Sequence, residues 1–202
     1  MKVTSMTNFN IILFNDFETL DAFGPVEVIG KLPDIYCLKY YSLTGGIIKS
    51  SQQVSIDTLP FAEIDSSGIL LIPGGMGTRT LVNDRNFIEQ LKILSEKALY
   101  VLTVCTGSAL LAKTNLLNGM KATSNKMAFE WACSNGTEVN WVKKARWVKD
   151  GKFYTSSGVS AGIDMILGFV GDIHGMEYAQ GIANGIEYIR NPDKDNDPFA
   201  VE

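Results

Sequence analysis

The sequence is poor in histidine: of 202 residues only His174 is one. A site built from several histidines around a metal is therefore excluded, and any Cys-His or Ser-His chemistry would have to run through that residue. Positive charge is also short, with 18 Lys and Arg against 22 Asp and Glu for a net charge of -4. That balance argues against a nucleic-acid binder, which carries a basic footprint. Apolar runs stay well below the roughly 18 residues a membrane span needs. The stretch from Met1 to Asn8 lacks the apolar centre of a secretion signal. Only three cysteines occur, Cys37, Cys105 and Cys133. Without a signal they suggest free thiols in a reducing cytoplasm rather than a disulfide framework.

What is present is a regular alternation. Phe9 to Phe14, Gly68 to Ile72 and Tyr100 to Val104 are short apolar runs without polar alternation, as expected for strands covered on both faces. Tyr36 to Leu43 reads as a further strand, and Gly45-Gly46 as a turn before a short strand at Val54 to Ile56. Phe87, Leu91, Leu94 and Ala98 fall at helical spacing, which predicts an amphipathic helix over Asn86 to Lys97. A helix is expected from Ser108 to Lys113 and a packed central one from Val159 to Ile173. Lys149 to Lys152 reads as the turn of a hairpin. The pattern predicts one α/β domain over 1–190, an α/β/α sandwich around a mainly parallel, flavodoxin-like sheet. An exposed C-terminal arm follows over 191–202, leaving no room for a helix-turn-helix domain.

In such sheets ligands sit beyond the carboxyl ends of the strands, where the strand order reverses. Three segments lie there: the loop with Asp16, Glu18 and Asp21, the Pro73-Gly74-Gly75 turn, and Cys105-Thr106-Gly107-Ser108. Strand, cysteine, Gly-Ser and helix form the layout of a nucleophile elbow, although Thr103 replaces its first glycine. A thiol there faces a helix N-terminus, which favours thiolate. Pro25 suits a first helical position with Gly24 as cap, leaving Asp21 in the preceding loop, free to meet the thiol or position a water. Desolvation there would raise its pKa. Glu18 is the reserve carboxylate. The Gly74 and Gly75 amides are candidates to hold a developing anion. His174 follows a full helix after the last strand and is expected at the surface or as a cap.

These residues resemble the ThiJ/PfpI superfamily, within the class I glutamine amidotransferase-like fold. The resemblance rests on Leu20-Asp21-Ala22-Phe23-Gly24-Pro25-Val26-Glu27, Ile72-Pro73-Gly74-Gly75, Val104-Cys105-Thr106-Gly107-Ser108 and Gly158 to Asp164, and covers about Asn8 to Tyr188. The forms look most like the isonitrile hydratase branch and the N-terminal domains of AraC-type regulators. The resemblance implies Cys105 as nucleophile, Asp21 as acid/base and Thr106 as a supporting group. It also implies a homodimer that takes a small-molecule substrate and needs no metal or organic cofactor. Where many relatives have a histidine after an Ala-Thr pair, this chain has Asn125, which cannot act as a base near neutral pH. Thiol and carboxyl chemistry suits hydration or hydrolysis of small C–N compounds better than proteolysis. The alternatives are a thiol redox sensor and a small-molecule-binding protein.

Overall fold

A computed structural model describes residues 6–200. Most of the Met1 to Asn8 stretch, and the last two residues of the C-terminal arm, lie outside that range. The strands are β1 (Thr7–Ile12), β2 (Tyr36–Ser42), β3 (Thr44–Lys49), β4 (Ser55–Pro60), β5 (Ile69–Ile72), β6 (Tyr100–Thr103), β7 (Lys121–Ala122), β8 (Asn140–Trp141), β9 (Trp147–Asp150) and β10 (Phe153–Ser156). The helices are α1 (Thr19–Ile29), α2 (Thr78–Leu81), α3 (Arg85–Lys97), α4 (Gly107–Lys113), α5 (Phe129–Ser134), α6 (Ala161–His174) and α7 (Met176–Gly185).

Eight strands form one sheet in the order β3-β4-β2-β1-β5-β6-β10-β9. The inner six pair in parallel, and the outermost strands β3 and β9 return antiparallel. β7 and β8 form a separate small ladder. The central strands β1, β5 and β6 are largely apolar because helices cover both faces: every residue of β5 is buried, as are Phe9 and Ile11 of β1 and Val101 and Leu102 of β6. Each such Leu or Ile side chain contributes about 1.5–3 kcal/mol by leaving water. α1 packs on α6 and α6 on α7, while α3 packs on α4, which also meets α2 and α5. In α3, Asp84 caps the N-terminus by accepting from the Phe87 amide at 3.1 Å, and Phe87, Leu91 and Leu94 form the buried stripe. Among the described residues no helix is long and apolar enough to cross a membrane.

Three expectations need correction or refinement. First, α1 begins at Thr19, not near Pro25, so Asp21 sits inside its first turn and Pro25 inside the helix. Pro25 has no N–H to offer the Asp21 carbonyl four residues back. The helix persists because its Ala22, Gly24, Pro25, Val28 and Ile29 are buried, and Gly24 lets the Ile163 side chain of α6 come close. Second, Gly45 and Gly46 lie within β3, not in a turn, with φ of 75° and 85°. Third, the C-terminal arm is exposed along most of its described length, yet it is pinned by Asp197, which is only 3% exposed.

Candidate active site

After β1 the chain crosses to β2 on one side, and after β5 it crosses to β6 on the other. The loops leaving β1 and β5 therefore part at their carboxyl ends and leave a crevice. The loops themselves are tied together. Phe17 bridges Gly75, and the Glu18 amide donates to the Gly74 carbonyl at 2.9 Å. Gly75 has φ 123°, and a Cβ there would run into the Asp16 carbonyl, so this crossing requires glycine.

Cys105 stands at the mouth of the crevice, just beyond β6. Its φ of 57° is a left-handed value that costs a non-glycine residue about 1–2 kcal/mol. The surroundings hold it there: its amide donates to the Ser157 carbonyl at 3.2 Å, and its carbonyl accepts from Ser108 Oγ and Ser124 Oγ, each at 3.0 Å. Gly107 completes the elbow, since a Cβ there would strike the Ile72 and Pro73 carbonyls.

Asp21 projects from α1 into the same place and is fully buried. The Gly74 amide donates to its Oδ2 at 2.9 Å, whereas Oδ1 has no hydrogen-bond partner. Burial, reinforced by the negative charge of Glu18 and opposed by the Gly74 amide, raises its pKa to about 8. Cys105 and Asp21 lie close enough to shift one another's protonation. Burial, and next the Asp21 charge, push the thiol well above its ordinary value, although the Thr106 amide and hydroxyl favour thiolate. The expectation that the helix end yields a thiolate is thus overturned, because α4 offers local dipoles while desolvation acts on the whole charge.

Thr106 links the parts. Its hydroxyl accepts from the Gly75 amide at 3.1 Å and from Thr78 Oγ1 at 3.1 Å. The amides expected to hold an anion are thereby committed elsewhere: Gly74 holds Asp21 and Gly75 holds Thr106. The donors facing the sulfur are the Thr106 amide and hydroxyl. Gly74 must lack a side chain, since a Cβ would lie 2.6 Å from Thr106 N and Oγ1 and 2.9 Å from Asp21 Oδ2.

Around Cys105 a cavity of about 200 Å³ is walled by Glu18, Met76, Arg79, Asn125, Ala128 and Val159. Larger ones of about 310 Å³ beside Leu13, Asn15 and Phe87 and about 710 Å³ beside Leu32, Glu177 and Tyr178 hold neither a cysteine nor a buried carboxyl. Chemistry, not size, selects the site. Sequence reasoning missed Arg79, which stacks on Trp131 at 3.5 Å and whose pKa burial lowers and Cys105 raises. No motif announces it; only its place shortly after the Gly74-Gly75 turn hinted at it. Glu18 lines the cavity and accepts from Gln52 Nε2 at 2.9 Å. Asp16 does not reach it. His174 lies at the other end of the sheet, 2.7 Å from the Tyr36 hydroxyl at the start of β2. Cys37 and Cys133 are half-buried, away from the cavity. Among the described residues no three His, Cys, Asp or Glu side chains are grouped to hold a metal.

Residues 9–171 match the DJ-1/PfpI family. An isonitrile hydratase of Pseudomonas putida is 29% identical over 185 residues, covering 92% of this chain and 80% of that protein. The HTH-type transcriptional regulator GbdR of Pseudomonas aeruginosa is 25% identical over 195 residues, covering 91% of this chain but 51% of the regulator, so the chain spans about half of it. A crystal structure of a ThiJ/PfpI family protein from Pseudomonas syringae superposes with a TM-score of 0.84 at 25% identity, over 94% of this chain and 78% of that one.

Proposed function

The chain belongs to the DJ-1/PfpI family, and from that premise we propose that it is a cysteine-dependent hydratase of small C–N compounds, with an isonitrile as the reacting group. One observation carries the reading: a buried Cys105 thiol beside an Asp21 carboxyl that stays protonated up to about pH 8 and has one unpartnered oxygen. An isonitrile carbon accepts a nucleophile and a proton at the same atom. Sulfur bonds to that carbon, and the carbon takes a proton from Asp21 Oδ1 as the thiol's own proton replaces it, giving R–N=CH–S–Cys105. Water then adds to the carbon, with a proton going to nitrogen, and the tetrahedral R–NH–CH(OH)–S–Cys105 forms. Breaking the C–S bond and returning the hydroxyl proton to sulfur releases R–NH–CHO and restores the thiol. The sum is isonitrile plus water to formamide.

Because the thiol is neutral at rest, the carboxyl must accept and donate in the same step, and its Oδ1 carries no other hydrogen bond. Thr106 contributes its amide to the sulfur and its hydroxyl to the Gly75 turn. Asn125 stands in the wall without titrating. The reading is preferred to a redox sensor because burial holds the Cys105 thiol above its ordinary pKa, which disfavours free reaction with oxidants outside the cavity. We take the working unit to be a cytoplasmic homodimer, which sedimentation of the purified protein would check.

The reading is tested with methyl and cyclohexyl isonitrile, a glyoxal and an amide as parallel substrates. Formamide production is expected from the isonitriles, with a loss of at least about 10³-fold in Cys105→Ala. Equal turnover in that variant would refute it.

A further inference from the structure

Beside the Cys105 cavity lies a second one of about 340 Å³, and the two share Asn125 and Val159 in their walls. The second is mostly apolar by area, framed also by Met127, Gly158 and Phe199, with Lys126, Ser157 and Ser160 as its further polar residues. Phe199 comes from the C-terminal arm, whose neighbours Asp193, Lys194, Asp195 and Asn196 are polar. Its side chain is 68% exposed, an apolar group left beside a cavity rather than buried in the core.

The arm is held in place by an anchor two residues earlier. Asp197 Oδ1 lies 3.6 Å from Arg146 Nη1, and Oδ2 lies 3.9 Å from Lys126 Nζ. The Asp197 amide donates to the Lys144 carbonyl at 2.7 Å, and its Oδ1 accepts from the Phe199 amide at 3.0 Å. Lys126, in turn, donates to the Ala145 carbonyl at 2.6 Å and to Thr123 Oγ1 at 2.9 Å. The same buried carboxylate thus fixes the Phe199 backbone and the loop that carries Asn125. Burying a charge is costly, and here it sets an aromatic ring at the edge of the site.

We infer that the second cavity is the subsite for an apolar substituent on the substrate nitrogen, and that Phe199 is a specificity-determining residue. This rests on the hydratase reading for the reacting group, but the subsite itself is defined by geometry. Together the two cavities fall in the range of roughly 300–1,000 Å³ typical of small-molecule sites.

The test compares Cys105 alkylation by iodoacetamide and by N-phenyl iodoacetamide, read at the Cys105 peptide by mass spectrometry and normalised to free cysteine. The wild type is expected to favour the phenyl reagent, and Phe199→Ala to lower that preference about tenfold. Asp197→Asn, which frees the arm, should lower it in the same direction. In parallel, the ratio of kcat/KM for cyclohexyl over methyl isonitrile should fall about tenfold in Phe199→Ala. An alkylation preference unchanged in Phe199→Ala overturns the proposal, as does an equal fall for both reagents. If neither isonitrile is turned over while the alkylation preference shifts, the subsite stands and the hydratase reading fails.

Discussion

Asp21 and Asp164 are both fully buried, yet their surroundings are opposites. Asp164 meets a cation and an amide: Arg146 reaches its Oδ2 with Nη2 at 2.6 Å and Nε at 2.7 Å, and the Asn191 amide donates to Oδ1 at 2.8 Å. Asp21 receives one amide, no cation, and keeps a bare oxygen beside a thiol. A buried carboxylate with both oxygens engaged locks segments together, here α6, the stretch before β9 and the start of the arm. One left incomplete holds a proton that it can give away. The same residue type serves cohesion in one region and chemistry in the other.

The sharpest way to break this contrast is Asp21→Asn. It keeps the shape but removes the proton donor, so turnover should fall by about 10²–10⁴-fold. Because the folded pKa of about 8 lies above the ordinary 3.8, the folded state binds more protons between those values. Stability therefore declines as pH rises through that window, and above about pH 8 the full cost of the buried charge is present. The variant, lacking that cost, should be more resistant to urea than wild type at pH 9. A less stable Asp21→Asn protein at pH 9 would place Asp21 with the structural carboxylates.

Arg146→Ala attacks the other region. It leaves Asp164 and Asp197 buried without their guanidinium, which should cost about 3–5 kcal/mol of unfolding free energy. Urea melts measure this, and a loss below 1 kcal/mol would show that the cluster contributes little cohesion.

Over a single pH unit the smallest effect is the wild type's own response. Asp21 should contribute a decline in stability of at most about 1.4 kcal/mol per pH unit between its two pKa values, absent in Asp21→Asn. In the same protein kcat/KM should fall as pH rises past about 8, as the carboxyl loses its proton. A flat profile to pH 9 would assign proton delivery to another group.

The two regions also differ in how far the sequence reveals them. Cys105 is legible because a four-residue buried strand, a cysteine and Gly107-Ser108 leave few alternatives to an elbow. Asp21 is legible as a residue but not as a position: Pro25 signals a helix start, and only burial of α1 against α6 shows why the helix begins at Thr19. The roles of the Gly74 and Gly75 amides are invisible, since backbone donors carry no side-chain signature. The Arg146 cluster is more hidden still. Lys126, Arg146, Asp164 and Asp197 are separated along the chain, and their convergence depends on how β9, α6 and the arm pack. The parallel sheet and its carboxyl-end crevice follow from apolar runs alone, whereas charged contacts between distant segments do not.

The hydrogen bond from the Cys105 amide to the Ser157 carbonyl also sets an order of events in time. During synthesis the cysteine emerges some fifty residues before its partner, an interval of about 3–10 s at roughly 5–20 residues per second. Over that interval the elbow has no far side to brace it, and the thiol is neither buried nor raised in pKa. The newborn chain is thus more open to oxidants and alkylating agents at Cys105 than the finished protein. The elbow is completed by a residue made later, so the site cannot be assembled before Ser157 is in place.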